Sequence, residues 1–127
     1  MAEQDHHAEV IKGLKKQMKI LLVEGEEPVY FYLDDSHKFC NKLFADLLGY
    51  KTAKAWADTE APLSDVIDKD QQTVIDAYMK ASEHGIASSI DVSMKNIKTG
   101  EIIKTNMILA PIIYEGHIFT IHYVRQK

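Results

Sequence analysis

The sequence contains few of the features that mark specialised chemistry or a membrane protein. Its 127 residues include one cysteine, one tryptophan and three prolines. A single cysteine, Cys40, cannot form an internal disulfide, which favours a cytoplasmic protein. The longest apolar run, Met107 to Tyr114, contains Pro111 and is far shorter than the roughly 20 residues of a membrane-spanning helix. We therefore expect no membrane span, and the charged N-terminus also lacks the apolar segment of a secretory signal.

The charge balance argues against nucleic-acid binding. The chain carries 15 basic and 19 acidic side chains, a net charge of -4. The excess lies in residues 24–70, where 5 basic side chains face 11 acidic ones. Such a surface repels phosphate groups. We therefore predict no nucleic-acid partner.

Motifs for catalysis and metal binding are also missing. The six glycines are isolated, so no phosphate-binding loop is present, and no serine lies in a glycine elbow. The pair Asp34-Asp35 is typical of a turn whose side chains bond nearby amides. His6 and His7 lie at the N-terminus, while His117 and His122 would point to opposite faces of one strand. The sequence predicts no metal site and no enzyme.

An amphipathic helix is predicted from about Asp5 to Val23. Its apolar stripe consists of Ile11, Leu14, Met18 and Leu21, spaced by 3, 4 and 3 residues. The stripe has three possible roles: packing on its own domain, pairing with the same helix of a second chain, or lying on an acidic membrane. We predict these four residues as a dimerisation seam, with packing on the same chain left open. The break at Glu24–Pro28 divides the chain into a helical arm, 1–24, and a second domain, 25–127.

The second domain alternates between two periodicities. The pattern predicts strands at Val29–Leu33 and His37–Cys40, then a helix capped by Asn41 and ended by Gly49. A short helix follows at Thr52–Ala57. A longer helix runs from Asp68 to before Gly85, with Gln71 completing a capping box, and three strands end the chain. In the last strand Phe119, Ile121 and Tyr123 share one face. The predicted fold is α+β, a five-stranded antiparallel sheet with helices inserted between strands 2 and 3.

This order resembles that of a PAS domain, the small sensor module of signalling proteins. The matching features are the first strand, the Asp34-Asp35 turn, Phe39-Cys40-Asn41 at the end of the second strand, Leu48-Gly49-Tyr50 at the helix end, and the turns at Thr99-Gly100 and Glu115-Gly116. The resemblance covers roughly residues 28–125. It implies a sheet that wraps around a pocket closed by the central helices, in which some members bind haem, flavin or a metabolite. It also implies that a preceding helix packs on the outer sheet face or on a partner chain.

The resemblance does not point to a particular cofactor. Haem-binding members take an axial histidine from the long helix, where this chain has only His84 at the end. Photoreactive flavin-binding members need an Asn-Cys-Arg type motif on an inserted helix, whereas Cys40 ends a strand. Haem and flavin are therefore disfavoured, and no cofactor is evident. We predict a pocket for a small apolar ligand, with an ordinary filled core as the alternative, lined by Phe31, Phe39, Leu47, Tyr78, Met79, Met94, Met107, Phe119 and Ile121.

The function that follows is a stand-alone sensor or protein-interaction module in signal transduction. Residues up to Lys127 contain no recognisable output domain, so we expect a homodimer that signals to a protein partner in trans. The alternative is a small-molecule enzyme of a ketosteroid-isomerase-like α+β cone fold. That fold usually places its long helices before all the strands of its sheet, whereas here two strands come before the inserted helices.

Overall fold

The computed structural model describes residues 3–59 and 62–127, and the side chains from His6 onward in these ranges. The helices are α1 (Glu3–Gln17), α2 (Lys19–Val23), α3 (Lys42–Leu48), α4 (Ala53–Ala57) and α5 (Asp68–His84), with a 3-10 helix at Pro62–Asp65. The strands are β1 (Val29–Asp34), β2 (His37–Cys40), β3 (Ser88–Lys95), β4 (Ile102–Tyr114) and β5 (His117–Gln126). The predicted α+β order of elements is confirmed.

The five strands form one antiparallel sheet in the order β2-β1-β5-β4-β3. The β4–β5 hairpin closes through Glu115 and Gly116, whose φ angles of 51° and 77° match a tight turn that favours glycine. Pro111 lies in β4 beyond Leu109, the last β4 residue on the ladder that joins β4 to β3. A missing amide hydrogen is tolerated there because β4 has lost one of its two neighbours.

Both faces of the sheet are covered. We call the face under α3, α4 and α5 the inner face, and the face under α1 and α2 the outer face. On β1, Tyr30 packs with the inner cluster of buried residues, while Phe31 packs with the outer cluster. The β5 residue His122 pairs with Tyr30, and Ile121 pairs with Phe31, so the two central strands alternate in step.

This arrangement corrects part of the predicted pocket. Phe31, Phe39, Phe119 and Ile121 do share one face, but it is the outer face, away from the central helices. The prediction placed them on the wrong side. A period of two shows which residues lie together, and it cannot show which face they occupy when both faces are buried.

The N-terminal helix is docked on its own sheet and is interrupted at Met18, where φ is -92° and ψ is 12°. Leu14 is fully buried, and Ile11, Met18 and Leu21 are partly buried against the same outer cluster. The predicted dimerisation seam is therefore occupied within the chain, and Leu14 has no exposed surface left for a second copy. Gly13 permits this approach because the hydroxyl of Tyr114 lies where a Cβ atom would be.

The ends of α3 agree with the sequence pattern. Asn41 Oδ1 accepts a hydrogen bond from the amide of Phe44 at 3.0 Å. Gly49 ends the helix with a φ of 84°. Leu43, in the first turn of α3, is 40% exposed.

The start of α5 differs from its prediction. Ile67, not Asp68, is the N-cap residue, and no side chain caps the helix. The Gln71 amide instead donates to the carbonyls of Leu63 and Val66, at 3.2 and 3.1 Å. A tertiary contact has replaced the local capping box.

Candidate functional site

A cavity of about 350 Å³ lies between the inner face of the sheet and α5. Strands β1 and β5 form one wall, and α5 with the 3-10 segment forms the other. The lining residues are Tyr30, Tyr32, Asp35, Pro62, Leu63, Val66, Val74, Ile75, Tyr78 and His122. The volume lies at the lower end of the roughly 300–1,000 Å³ range of small-molecule sites.

The sheet wall is aromatic. The rings of Tyr30 and His122 are stacked, with centroids 4.0 Å apart and planes 10° from parallel. Burial lowers the pKa of His122 to about 3, so the imidazole is neutral at physiological pH. Its Nδ1 donates to the backbone carbonyl of Thr120 at 3.2 Å. A neutral ring held in this way offers stacking and hydrogen bonding, and is a poor proton acceptor for catalysis.

The entrance combines two further tyrosines with a carboxylate. Tyr32 and Tyr78 meet edge to face at 5.2 Å. The Tyr32 hydroxyl donates to Asp35 Oδ1 at 2.6 Å. Burial, and then the hydrogen bond to Asp35, raises the pKa of Tyr32, and burial likewise raises that of Tyr78. Both phenols are therefore neutral, and the exposed Asp35 contributes the one carboxyl group among the described residues of the lining.

Beside the cavity lies a buried lysine. Lys38 is 4% exposed, and its ammonium donates to the carbonyls of Asp35 at 2.5 Å, Ala57 at 3.0 Å and Thr59. It also lies 5.4 Å from the centre of the Trp56 ring. Burial lowers the pKa of Lys38, and nearby carboxylates oppose that shift. The bonds to three carbonyls tie the β1–β2 turn to the segment after α4.

A buried carboxylate fixes the next segment. Asp65 accepts hydrogen bonds from the Tyr50 hydroxyl at 2.8 Å and from Trp56 Nε1 at 3.2 Å. Burial raises the pKa of Asp65, while these two donors and the charge of Lys38 act in the opposite direction. In the described part of the chain no salt bridge joins Asp65 to Lys38, so each charge is stabilised mainly by dipoles. This cluster holds the cavity wall in place without lining the cavity.

Cys40 is buried at the end of β2, where its thiol lies 3.8 Å from the carbonyl of Ala53. Burial raises the pKa of the thiol to about 12. Because the thiolate is the reactive form, this cysteine is inert at neutral pH.

The predicted ligand-binding residues are only partly brought together. Of the nine, all within the described ranges, Tyr78 alone lines the cavity. Met94 and Met107 belong to the inner cluster but do not line the cavity, and Leu47 packs against the same cluster. Met79 is 43% exposed. With the four residues on the outer face, these account for the whole set.

Sequence reasoning missed Tyr30, Tyr32 and His122. Their signal was present, since Tyr30 and Tyr32 alternate with Phe31. The stronger apolar character of Phe31 led to the choice of the wrong face.

Comparison with known proteins defines the fold. No family model matches the sequence, and no curated protein matches it. A PAS domain from a two-component sensor histidine kinase superposes with a TM-score of 0.65 at 15% identity, over 91% of this chain and 99% of that one. The PAS domain of an HTR-like protein from Haloarcula marismortui gives 0.65 at 13% identity, over 97% and 99%. Vibrio cholerae VqmA gives 0.66 at 12% identity, over 88% of this chain and 50% of that one.

The chain therefore has the PAS fold, as its sequence pattern predicted. The two strands that precede α3, α4 and α5, together with these structures, decide against the cone-fold alternative. None of the described helices is long and apolar enough to cross a membrane.

Proposed function

We propose that this protein is a sensory module in signal transduction, not an enzyme, whose inner cavity binds a small neutral molecule. The observation that carries the proposal is the double role of β1 and β5. Tyr30 and His122 line the cavity, while their neighbours Phe31 and Ile121 lie under the N-terminal helix. A change on one side of these strands reaches the other through a single residue step.

The cavity walls indicate the chemistry of the ligand. Tyr30, Tyr32, Tyr78 and His122 provide faces and edges for an aromatic or apolar body. Among the residues that the structure describes, no Lys or Arg lines the cavity, and the one acidic lining residue is Asp35. An anionic ligand would lack a partner and would be repelled, so a neutral molecule with one or two polar atoms fits best.

Signalling would follow from a shift between two packings of the sheet and the helix. A ligand shifts such an equilibrium only by the difference in its affinity for the two states. Occupancy of the cavity would press on Tyr30 and His122 and change the fit of Phe31 and Ile121 beneath Leu14. The helix would then dock more or less firmly, and a cytoplasmic protein partner could read that change.

Binding can be tested with indole as a neutral aromatic probe and indole-3-acetate as its anionic counterpart. We expect amide shifts of residues 30, 32 and 122 in NMR titrations with indole, and weaker binding of the anion. Ile75→Trp should fill the cavity and abolish these shifts. Met79→Trp, one turn further along α5 and away from the cavity, is the matched control and should bind as the parent does. Equal binding by both variants would contradict the proposal.

The relay can be tested by hydrogen exchange of α1 with and without indole. We expect exchange in residues 10–17 to change when the cavity fills, and to stay constant in Ile75→Trp. Unchanged α1 exchange at saturation would contradict the relay while leaving the binding site intact.

We also propose a homodimer, through a surface different from the predicted seam. On α2, Ile20 and Val23 are 71% and 70% exposed, and they lie next to the helix that would carry the signal. VqmA, which shares the fold, is described as a dimer. Sedimentation of Ile20→Glu with Val23→Glu should show monomer where the parent shows dimer. Ile97→Glu, at the β3–β4 turn and 53% exposed, is the control.

A further inference from the structure

Four histidines and an aspartate meet where the start of α1, the β1–β2 turn and the start of β5 come together, and none of the five lines the cavity. His6 and His7 lie in the first turns of α1, Asp34 and His37 flank the β1–β2 turn, and His117 begins β5. The His7 ring lies 5.1 Å from that of His37 and 4.9 Å from that of His117, centroid to centroid. The ring of His6 lies 5.0 Å from that of His117.

Three of these side chains have the spacing of metal ligands. One ligand atom from each of His7, Asp34 and His37 lies within 4.8 Å of the other two, and all three residues are half-buried. Asp34 Oδ1 is 2.7 Å from His37 Nδ1, and Asp34 Oδ2 is 3.7 Å from His7 Nδ1. In a tetrahedral site with metal–ligand bonds of about 2.0–2.1 Å, neighbouring ligand atoms lie roughly 3.3 Å apart. The two observed distances, to different oxygens of Asp34, fall on either side of that value, so the three side chains already lie near the spacing that one ion requires.

The residue types select the class of ion. Imidazole nitrogens together with one carboxylate suit zinc, nickel, cobalt and copper. Magnesium and calcium prefer oxygen ligands. The carboxylate is also held in place, since Asp34 Oδ1 accepts a hydrogen bond from the amide of Ser36 at 2.9 Å.

We propose that His7, Asp34 and His37 bind a divalent transition-metal ion such as Zn²⁺, with His117 as the fourth ligand. The ion would join the start of α1 to the β1–β2 turn and to the start of β5. It would thereby fasten the N-terminal helix to the outer face of the sheet. The site does not require a ligand in the cavity, so its test is independent of the test of the proposed sensor function.

Bridging three segments gives the ion a thermodynamic effect. These ligands come together only when α1 is docked on the folded sheet. An ion that binds the folded state and not the unfolded one stabilises it in proportion to the logarithm of its concentration over its dissociation constant. Zn²⁺ should therefore raise the melting temperature of the full chain, and Mg²⁺ should not.

The test is calorimetric titration of the full chain with ZnCl₂. We expect one ion per chain, and at least about a 100-fold loss of affinity in Asp34→Asn and His37→Ala, because changes even to residues behind metal ligands cost 10–100-fold. His7→Gln, near the start of α1, tests the same site if either of the other variants folds poorly. His84→Ala, an exposed histidine at the end of α5, is the matched control and should bind as the parent does.

Ring NMR signals of the histidines locate the ion independently. We expect the imidazoles of residues 7, 37 and 117 to shift on addition of Zn²⁺ while that of His84 stays constant. Absence of zinc binding, or equal affinity in the parent, His7→Gln and His37→Ala, would overturn the proposal.

Discussion

The two faces of the sheet have opposite characters although the same strands build them. The outer cluster consists of apolar residues: Val10, Leu14, Val29, Phe31, Phe39, Phe119 and Ile121. Its rings pack closely, as in the stacked pair Phe31 and Phe39 at 4.7 Å. The inner face buries Lys38, Asp65, Thr105, Thr120 and His122 beside its apolar core.

This difference between the two faces indicates which of them is expected to carry a binding site. Burying apolar side chains carries a smaller desolvation penalty than burying polar ones, since buried polar groups need hydrogen-bond partners to offset their loss of water. The outer face buries apolar side chains, which pack closely against the N-terminal helix. The inner face also buries polar groups next to a cavity, which is the pattern expected where a protein trades stability for recognition.

The largest effect on stability should come from removing a side chain of the outer cluster. Phe31→Ala removes a fully buried ring that is stacked on Phe39, and we expect a loss of about 3–5 kcal/mol in the free energy of unfolding. Urea unfolding followed by circular dichroism measures it. A loss below 1 kcal/mol would mean that the outer face is loosely packed and that the contrast between the faces is smaller than described.

The next effect is the loss of stability at low pH that is due to His122 on the inner face. The pKa of His122 is about 3 when folded, against about 6.5 for an unperturbed histidine, so between these values the unfolded state binds the extra proton. Stability due to this group is complete above about pH 6.5 and is lost as the pH falls toward 3, on the order of 3 kcal/mol by pH 4. His122→Gln should flatten this part of the stability–pH curve. His84→Gln, an exposed control, should leave the curve unchanged. Identical curves for both variants would contradict the conclusion that His122 is held neutral by burial.

A smaller effect should separate buried from exposed hydrogen bonds. Tyr50→Phe removes a donor to the buried Asp65, and we expect a loss of about 1–3 kcal/mol because the carboxylate loses a partner. Tyr32→Phe removes a bond of similar length to the exposed Asp35, where water can replace it. Chemical denaturation of both should give the larger loss for Tyr50→Phe, and the reverse order would contradict the role given to Asp65.

The smallest effect should have the opposite sign. The hydroxyl of Thr120 is buried and has no hydrogen-bond partner in the described part of the chain. Thr120→Val should raise stability by about 1 kcal/mol because it removes an unsatisfied polar group. Thr105→Val is the matched control, since that buried hydroxyl donates to the carbonyl of Val92 at 2.7 Å and its loss should destabilise. A loss in both variants would indicate that Thr120 has a partner on the inner face.

Much of the fold could be predicted because its signals are local. The caps at Asn41 and Gly49, the turn at Glu115-Gly116 and the alternation in β1 depend on a few neighbouring residues. The predicted capping box at Asp68 was wrong because the Gln71 side chain donates instead to the carbonyls of Leu63 and Val66, which lie outside the helix that a capping rule considers. Met79 was assigned to the interior on apolar character alone, and it is exposed.

The site was harder to predict than the fold. Tyr78 was identified, but Tyr30, Tyr32 and His122 were not, because their face of the sheet depends on which helix covers which side. The histidine cluster was missed for a related reason. His7, His37 and His117 lie far apart in the sequence, and no spacing rule connects them.

The sequence by itself determined the order of elements, the strand alternation and the apolar stripe on the N-terminal helix, because each depends on backbone geometry within a few residues. Tertiary structure decided that the stripe packs on its own sheet, that the cavity opens beside Tyr30 and His122, and that His7 meets Asp34 and His37. These outcomes depend on competition among long-range contacts. A two-residue period defines two faces, and only the packing of the helices gives each face its neighbours.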